Sequence, residues 1–294
     1  MKKFWCNGHW LPAENHPGTA HDRGAVLGLG LFETLLAIHG VPVFVDRHLA
    51  RLKTSAASLG WSVDLPDLRE LAGELLAKNH LTTGRARVRL TVTGGSGPLD
   101  DLRPGADRLI WLAASAVGDP PESLAACLSP WPRNERSPLA GLKCASYAEN
   151  LIALDHARQR GFDEILFPNT AGHLAEFATA NLFLVKNGTL RTPALTSGCL
   201  PGICRAAVIE LAGTLNLPLE QAEIPPSELS QADEIFLTSA LRGVIALSRF
   251  EDRILGPAPV TAQLRQALHQ AIATEISLQT KFATSPALGD GPPP

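Results

Sequence analysis

No run of apolar residues in this sequence approaches the ~18 that a membrane span requires, so a membrane protein is not expected. Cysteine is scarce. Cys6, Cys127, Cys144, Cys199 and Cys204 are odd in number and lack CxxC spacing, which argues against a disulfide framework. Free thiols in a reducing, cytoplasmic compartment fit better. Met1-Lys2-Lys3-Phe4-Trp5-Cys6-Asn7-Gly8 is basic but carries no apolar stretch behind it, so no signal peptide is expected. Excess positive charge is missing too: 26 Lys and Arg face 29 Asp and Glu, a net charge of −3, and nucleic acid is excluded as a partner on that ground. The nine histidines show no ligand spacing with one another or with the cysteines, so no metal site is expected. Gly28-x-Gly30 lacks the third glycine and the strand–helix setting of a dinucleotide-binding turn. Internal repeats are absent.

What remains is a chain of 294 residues, enough for one large domain or two modest ones. Residues 4–11, around Asn7-Gly8, predict a hairpin. A second hairpin is expected where the β-rich run 28–38 turns at His39-Gly40 into Val41-Pro42-Val43-Phe44-Val45. Asp46 is expected to cap a helix over 46–59, and an amphipathic helix follows over 65–78. Residues 85–93 alternate: Arg85, Arg87, Arg89 and Thr91 share one face, Val88, Leu90 and Val92 the other. The arginine face reads most simply as solvated. After a strand at 109–114, Val117-Gly118-Asp119-Pro120-Pro121 reads as a linker. The expected division is an N-terminal α+β domain, 1–118, a second domain, 122–283, and a disordered tail, 284–294, rich in Pro and Gly. Within the second domain, strands are expected near 124–128, 164–167, 181–185, 235–238 and 244–248. Helices are expected over 147–160, from Pro201 to 214, and within 259–282.

The most informative stretch runs from Leu142 to Arg205. It holds a lysine in apolar company (Leu142-Lys143), an acid in uncharged surroundings (Ala175-Glu176-Phe177) and a Pro-Gly turn opening a helix (Leu200-Pro201-Gly202-Ile203). Those three parts suit pyridoxal 5′-phosphate (PLP): an amine for covalent attachment, an acid for the pyridine nitrogen, and backbone N–H groups for the phosphate. Desolvation of Lys143 would lower its pKa and favour its neutral, nucleophilic form.

In order and spacing, Asp22-Arg23-Gly24, Phe32-Glu33-Thr34, His48-Leu49-Ala50-Arg51-Leu52, the Lys143 segment, Glu176 with Asn181-Leu182-Phe183, and Leu200-Pro201-Gly202-Ile203 resemble the class IV aminotransferases, the PLP fold-type IV group. That group includes branched-chain aminotransferases, D-amino acid transaminases and 4-amino-4-deoxychorismate lyases. The resemblance implies an α+β fold of two domains with the cofactor between them, and a homodimer. It gives Lys143 the covalent bond to PLP and Glu176 the pyridine nitrogen. Arg51, the amides of Ile203 and Cys204, and Ser239 and Ala240 fall to the phosphate, and Tyr147, the single tyrosine, to the cofactor's phenolic oxygen. Cys204 stands where the family often has Thr. Leu27, Leu29 and Phe177 also depart from the usual pattern and loosen the substrate assignment.

Both reactions of the family use the same lysine and acid. Ser239-Ala240-Leu241 and Pro138-Leu139-Ala140-Gly141 resemble the lyase group; Gly94, where D-amino acid transaminases and some lyases carry Arg, counts only against the former. The expected activity is therefore a 4-amino-4-deoxychorismate lyase of folate biosynthesis, forming 4-aminobenzoate and pyruvate. The alternative is an aminotransferase acting on branched-chain or D-amino acids or amines. A degenerate, non-catalytic family member is a third reading, disfavoured because lysine and acid are both present. For substrate carboxylates Arg242 is the first candidate cation, followed by Arg87 and Arg89.

Overall fold

A computed structural model of the protein describes residues 2–15, 18 and 20–284. The expected tail lies outside them, apart from Thr284, which ends the last helix. Strands β1 (Lys3–Cys6) and β2 (His9–Pro12) form the first hairpin, with Asn7 and Gly8 both at positive φ. A five-residue helix, α1 (Arg23–Leu27), was not expected and accounts for the Asp22-Arg23-Gly24 motif. Asp22 caps it by accepting from Gly24 N, and Thr93 Oγ1 donates to the other oxygen of Asp22. A Cβ on Gly24 would lie 2.6 Å from Thr93 Cγ2, so the close approach needs glycine. Arg23 is fully buried without a carboxylate. Its guanidinium donates to the carbonyls of Gly94, Gly95, Pro98, Asp101 and Arg103, and so fixes the loop they form.

Strands β3 (Gly30–Ile38) and β4 (Val41–Pro42) make the second hairpin, but β4 is only two residues long. Helix α2 (Val45–Ser58) begins earlier than expected, and Asp46 is not its cap. Phe44 occupies the cap position in the left-handed region, φ 56°, with no side-chain bond to the helix, while Asp46 faces outward to Arg69. Helix α3 (Leu68–Lys78) starts three residues later than expected, because Asp67 accepts from the amides of Arg69 and Glu70. With β5 (Arg85–Thr93) and β6 (Ile110–Ala116) the first sheet has the order β2-β1-β6-β5-β3-β4. One of its faces, with Leu31, Leu35, Val88, Leu90 and Val92, packs on α2 and α3. The other carries Phe32, Thr34, Arg87 and Arg89, which line a cavity, with Arg89 half-buried and Arg87 exposed.

The second sheet begins with β7 (Ser123–Leu128). It continues through β8 (Glu164–Pro168), β9 (Leu174–Phe177), β10 (Asn181–Lys186), β11 (Thr189–Pro193), β12 (Leu219–Ala222), β13 (Glu234–Ser239), β14 (Gly243–Phe250) and β15 (Arg253–Ile254). The order is β12-β11-β10-β13-β14-β7-β8-β9, with β15 on β14. An additional pairing of β9 with β10, at Glu176 and Asn181, closes six strands into a ring. All six supply one apolar cluster, among them Leu124, Leu166, Leu174, Leu182, Leu237 and Leu247. Helix α4 (Ala148–Gln159) covers one side of the ring through Ala153, Leu154 and Ala157. Helices α5 (Ile203–Thr214) and α6 (Pro259–Thr284) cover another, and their cluster takes in Leu36 of the first sheet and Val43 just after it. Pro201 lies outside α5: Gly202, in extended backbone, is the cap residue. Among the described residues no helix is long and apolar enough to cross a membrane, and the five cysteines are all free.

Replacing Arg23 with Met removes five donors from a buried cradle of carbonyls. The expected loss is about 3 kcal/mol, read as a lower urea midpoint with an unchanged slope.

Candidate active site

Between the two sheets lies a cavity of about 720 Å³, within the range of small-molecule sites. Lys143 reaches it from a segment tied to the edge of β3: Phe32 N donates to Lys143 O at 2.9 Å and Ala145 N to Gly30 O at 2.7 Å. Its amine stands 4.5 Å from the centre of the Phe32 ring. Burial, then the charge of Arg51, pulls the amine's pKa down to about 8, against the pull of Glu33 and Glu176.

Glu176 is buried at the seam where β9 meets β10. Arg133 Nη1 donates to its Oε1 at 2.6 Å, while Leu200 N and Asn181 Nδ2 donate to Oε2 at 3.0 and 3.3 Å. Burial pushes this carboxyl up, against the neighbouring Arg133. Arg133 also lies over the Phe167 ring, and its Nε and Nη2 are buried without partners. Nothing in the sequence around Arg133 signals this role. It becomes a partner only because β8, β9 and the segment at 133 meet in space.

Arg51 is gripped on one side. Its Nε and Nη2 donate to the two oxygens of Glu33 at 2.8 and 2.6 Å, and Nη1 donates to Pro201 O at 3.0 Å. His48 Nδ1 lies 2.7 Å from the same carboxylate. Burial raises the Glu33 pKa, but the bonds from Arg51 and His48 more than offset that and hold it at about 2. The Phe32-Glu33-Thr34 and His48-x-x-Arg51 motifs are thereby one structure: a buried acid that orients an arginine. Facing Arg51, Ile203 and Cys204 open α5, whose first N–H groups have no side-chain cap. A Cβ on Gly202 would fall 1.9 Å from Asn181 Oδ1, so only glycine fits there. Thr238, Ser239 and Ala240 complete this wall, and the Thr238 hydroxyl is buried without a partner.

Tyr147 packs edge-on to Phe32 at 5.6 Å and donates to Ala178 O at 3.0 Å. Burial, ahead of Glu176 and Glu164, pushes its phenol up to about 12. Arg242 lines the cavity but is already committed. It donates to Glu164 Oε1 at 2.8 Å and to Thr179 Oγ1 at 2.6 Å, with Ser239 Oγ at 3.2 Å. Arg87 and Arg89 have no carboxylate partner among the described residues. Arg89 sits 3.8 Å over the Phe32 ring, and burial, then Arg87, lowers its pKa. Of the departures from the family pattern, Leu27 is exposed, Leu29 packs on the first core, and Phe177 is buried against the cavity.

A family model for amino-transferase class IV matches residues 30–250. The chain belongs to the class IV aminotransferase family. It is 32% identical over 236 residues, 76% of this chain and 75% of the relative, to a Synechocystis protein provisionally named a branched-chain-amino-acid aminotransferase. Among solved structures, the branched-chain amino acid aminotransferase of Escherichia coli superposes with a TM-score of 0.85 at 26% identity, covering 92% of this chain and 94% of that one. A Legionella pneumophila protein provisionally named a 4-amino-4-deoxychorismate lyase superposes with a TM-score of 0.82 at 29% identity, covering 88% and 97%. This class IV aminotransferase therefore has the expected two-domain α+β architecture and is a PLP-dependent enzyme.

The residues present fit that cofactor. A desolvated amine, a buried acid, and an anion-binding wall with an unpartnered hydroxyl and uncapped helix amides all open on one cavity. With the Lys143 pKa near 8, capture of PLP by the cofactor-free enzyme, trapped by borohydride and read by mass spectrometry, is expected to rise up to about pH 8 and then level off. Lys143→Ala is expected to show no trapped adduct at any pH.

Proposed function

We propose that this enzyme is a 4-amino-4-deoxychorismate lyase, converting its substrate to 4-aminobenzoate and pyruvate. The observation that carries the reading is the pair Arg87 and Arg89. Two guanidiniums two residues apart on one strand face, Arg89 half-buried and Arg87 exposed, without a carboxylate partner among the described residues, suit a substrate with two carboxylates. They are poor company for a branched aliphatic side chain, which would desolvate both cations without pairing them. The likeness to the Legionella protein supports the same reading. Aminotransferase activity is the second reading, favoured by the Synechocystis and Escherichia coli relatives. The substrate contact assigned first to Arg242 passes to Arg89, because Arg242 is neutralised by Glu164.

Bound in the cavity, PLP supplies an electron-withdrawing ring that accepts charge from the substrate carbon next to nitrogen. Lys143 would attach it and, once displaced by the substrate amine, remove the proton from that carbon. A pKa near 8 lets the amine both take and return a proton. Glu176, held by Arg133 and Asn181, would face the pyridine nitrogen. Arg51, the amides of Ile203 and Cys204, Thr238, Ser239 and Ala240 would hold the phosphate, and Tyr147 the phenolic oxygen. In the lyase reaction the C–H bond beside nitrogen and the neighbouring C–O bond break. The ring becomes aromatic, and the three-carbon group takes up the proton and leaves as pyruvate. Atoms balance without an acceptor, so a keto acid is not consumed.

We also place the domain boundary within 118–122, between the end of the first sheet at Ala116 and the start of the second at Ser123. A homodimer is proposed as well. Val26 and Leu27 of α1 and Leu151 and Ile152 of α4 are exposed apolar residues on elements joined by the Ser146 Oγ to Gly28 O bond, a surface suited to a second copy.

PLP-loaded enzyme given 4-amino-4-deoxychorismate alone is expected to release 4-aminobenzoate and pyruvate in equal amounts. Glutamate formed from 2-oxoglutarate and an amino-acid donor, with silence on the first substrate, would replace the lyase by the aminotransferase reading. Arg89→Gln is expected to raise KM about tenfold or more with a smaller change in kcat.

A further inference from the structure

We infer that Glu275, on the C-terminal helix and outside the cavity, is a positioning residue that sets where Arg51 stands. Helix α2, which carries His48 and Arg51, has no side-chain cap of its own. It is entered through Phe44, a bulky residue in the left-handed region at φ 56°, a conformation that persists only where the surroundings hold it. The amide of Phe44 donates to Glu275 Oε1 at 2.9 Å, across 231 residues of chain. Gln279, one turn further along α6, donates to the same oxygen at 3.0 Å and to Pro42 O at 3.3 Å. The segment 42–44 is therefore tied from outside at both ends, and α2 inherits its starting point from α6.

Helix α6 is well placed to act as a ruler. Leu264, Leu268 and Ile272 share a buried cluster with Ala207, Val208 and Ala212 of α5, so α6 and α5 are packed directly on one another. The amides of Ile203 and Cys204 start α5, and Arg51 lies two turns into α2. Both halves of the proposed phosphate grip thus take their positions from α6: one through packing, the other through Glu275. Other links to the second sheet's helices are the packing of Val43 and Phe44 in the same cluster, an exposed pair, Arg47 with Glu210, and the bond from Arg51 to Pro201 O. An exposed ion pair contributes little, and Val43 N to Leu36 O and the packing of Val45 tie the same segment only to the first sheet's side, so Glu275 is the polar contact that refers the start of α2 to α6.

The inference rests on Arg51 gripping the cofactor phosphate, and one titration separates the two. Cofactor-free wild-type enzyme, Arg51→Gln, Glu275→Ala, Glu275→Gln and Gln279→Ala are titrated with PLP, following absorbance, well below each variant's melting temperature. Glu275→Ala is expected to weaken PLP binding about five- to tenfold, in line with loss of a helix cap. Glu275→Gln keeps the acceptor oxygen and is expected to stay within about twofold of wild type. Gln279→Ala loses only the supporting bonds and is expected to fall between them, and it stands in if Glu275→Ala does not fold. A lowered melting temperature with unchanged PLP affinity in the alanine variants would make Glu275 merely structural and overturn the inference, as would equal losses in the Ala and Gln variants. If Arg51→Gln binds PLP as wild type does, the phosphate reading of Arg51 fails first.

Discussion

The structure depends on keeping one lysine amine out of water while surrounding it with charges that are already paired. A lone ammonium in a desolvated cavity would be costly, so the amine is pushed toward its neutral form. Arg51 is neutralised by Glu33, Arg133 by Glu176 and Arg242 by Glu164, each pair joined by a direct bond. Those pairings leave the cavity polar and rigid without quenching the lysine. Arg87 and Arg89, by contrast, have no carboxylate partner among the described residues.

The two sheets serve this arrangement in different ways. The first presents an alternating strand whose apolar side is sealed by α2 and α3, which turns its arginine side toward the cavity. The second closes into a ring through a single residue pair, and that pair is Glu176 with Asn181. Closure holds the acid with little freedom, because Asn181 also binds Leu200 O and abuts Gly202 at the start of α5. One asparagine thereby couples the acid end of the cavity to the start of α5.

Much of this was legible in the residue order. The alternation over 85–93 placed the three arginines on one face, and the lysine, acid and Pro-Gly turn pointed to PLP before any geometry was known. Local chemistry suffices there, since strand sidedness and helix starts are written in short windows. The helix starts near 46 and 201 were misplaced, however, for reasons that no short window contains. Phe44 is held by Glu275, and Asn181 leaves no room for a side chain at the cap residue Gly202.

By itself, then, the sequence determined the family's chemistry and which side chains share a strand face. Tertiary structure alone decided what covers that face and which charge meets which. The arginine face reads as solvated, which holds for Arg87, until the second sheet is set against it and half-buries Arg85 and Arg89. Arg242 reads as a free cation until the fold brings Glu164, 78 residues away, against it. Pairing of buried charges is a long-range constraint: each must find a partner wherever the fold brings one, and residue order does not encode that meeting locally.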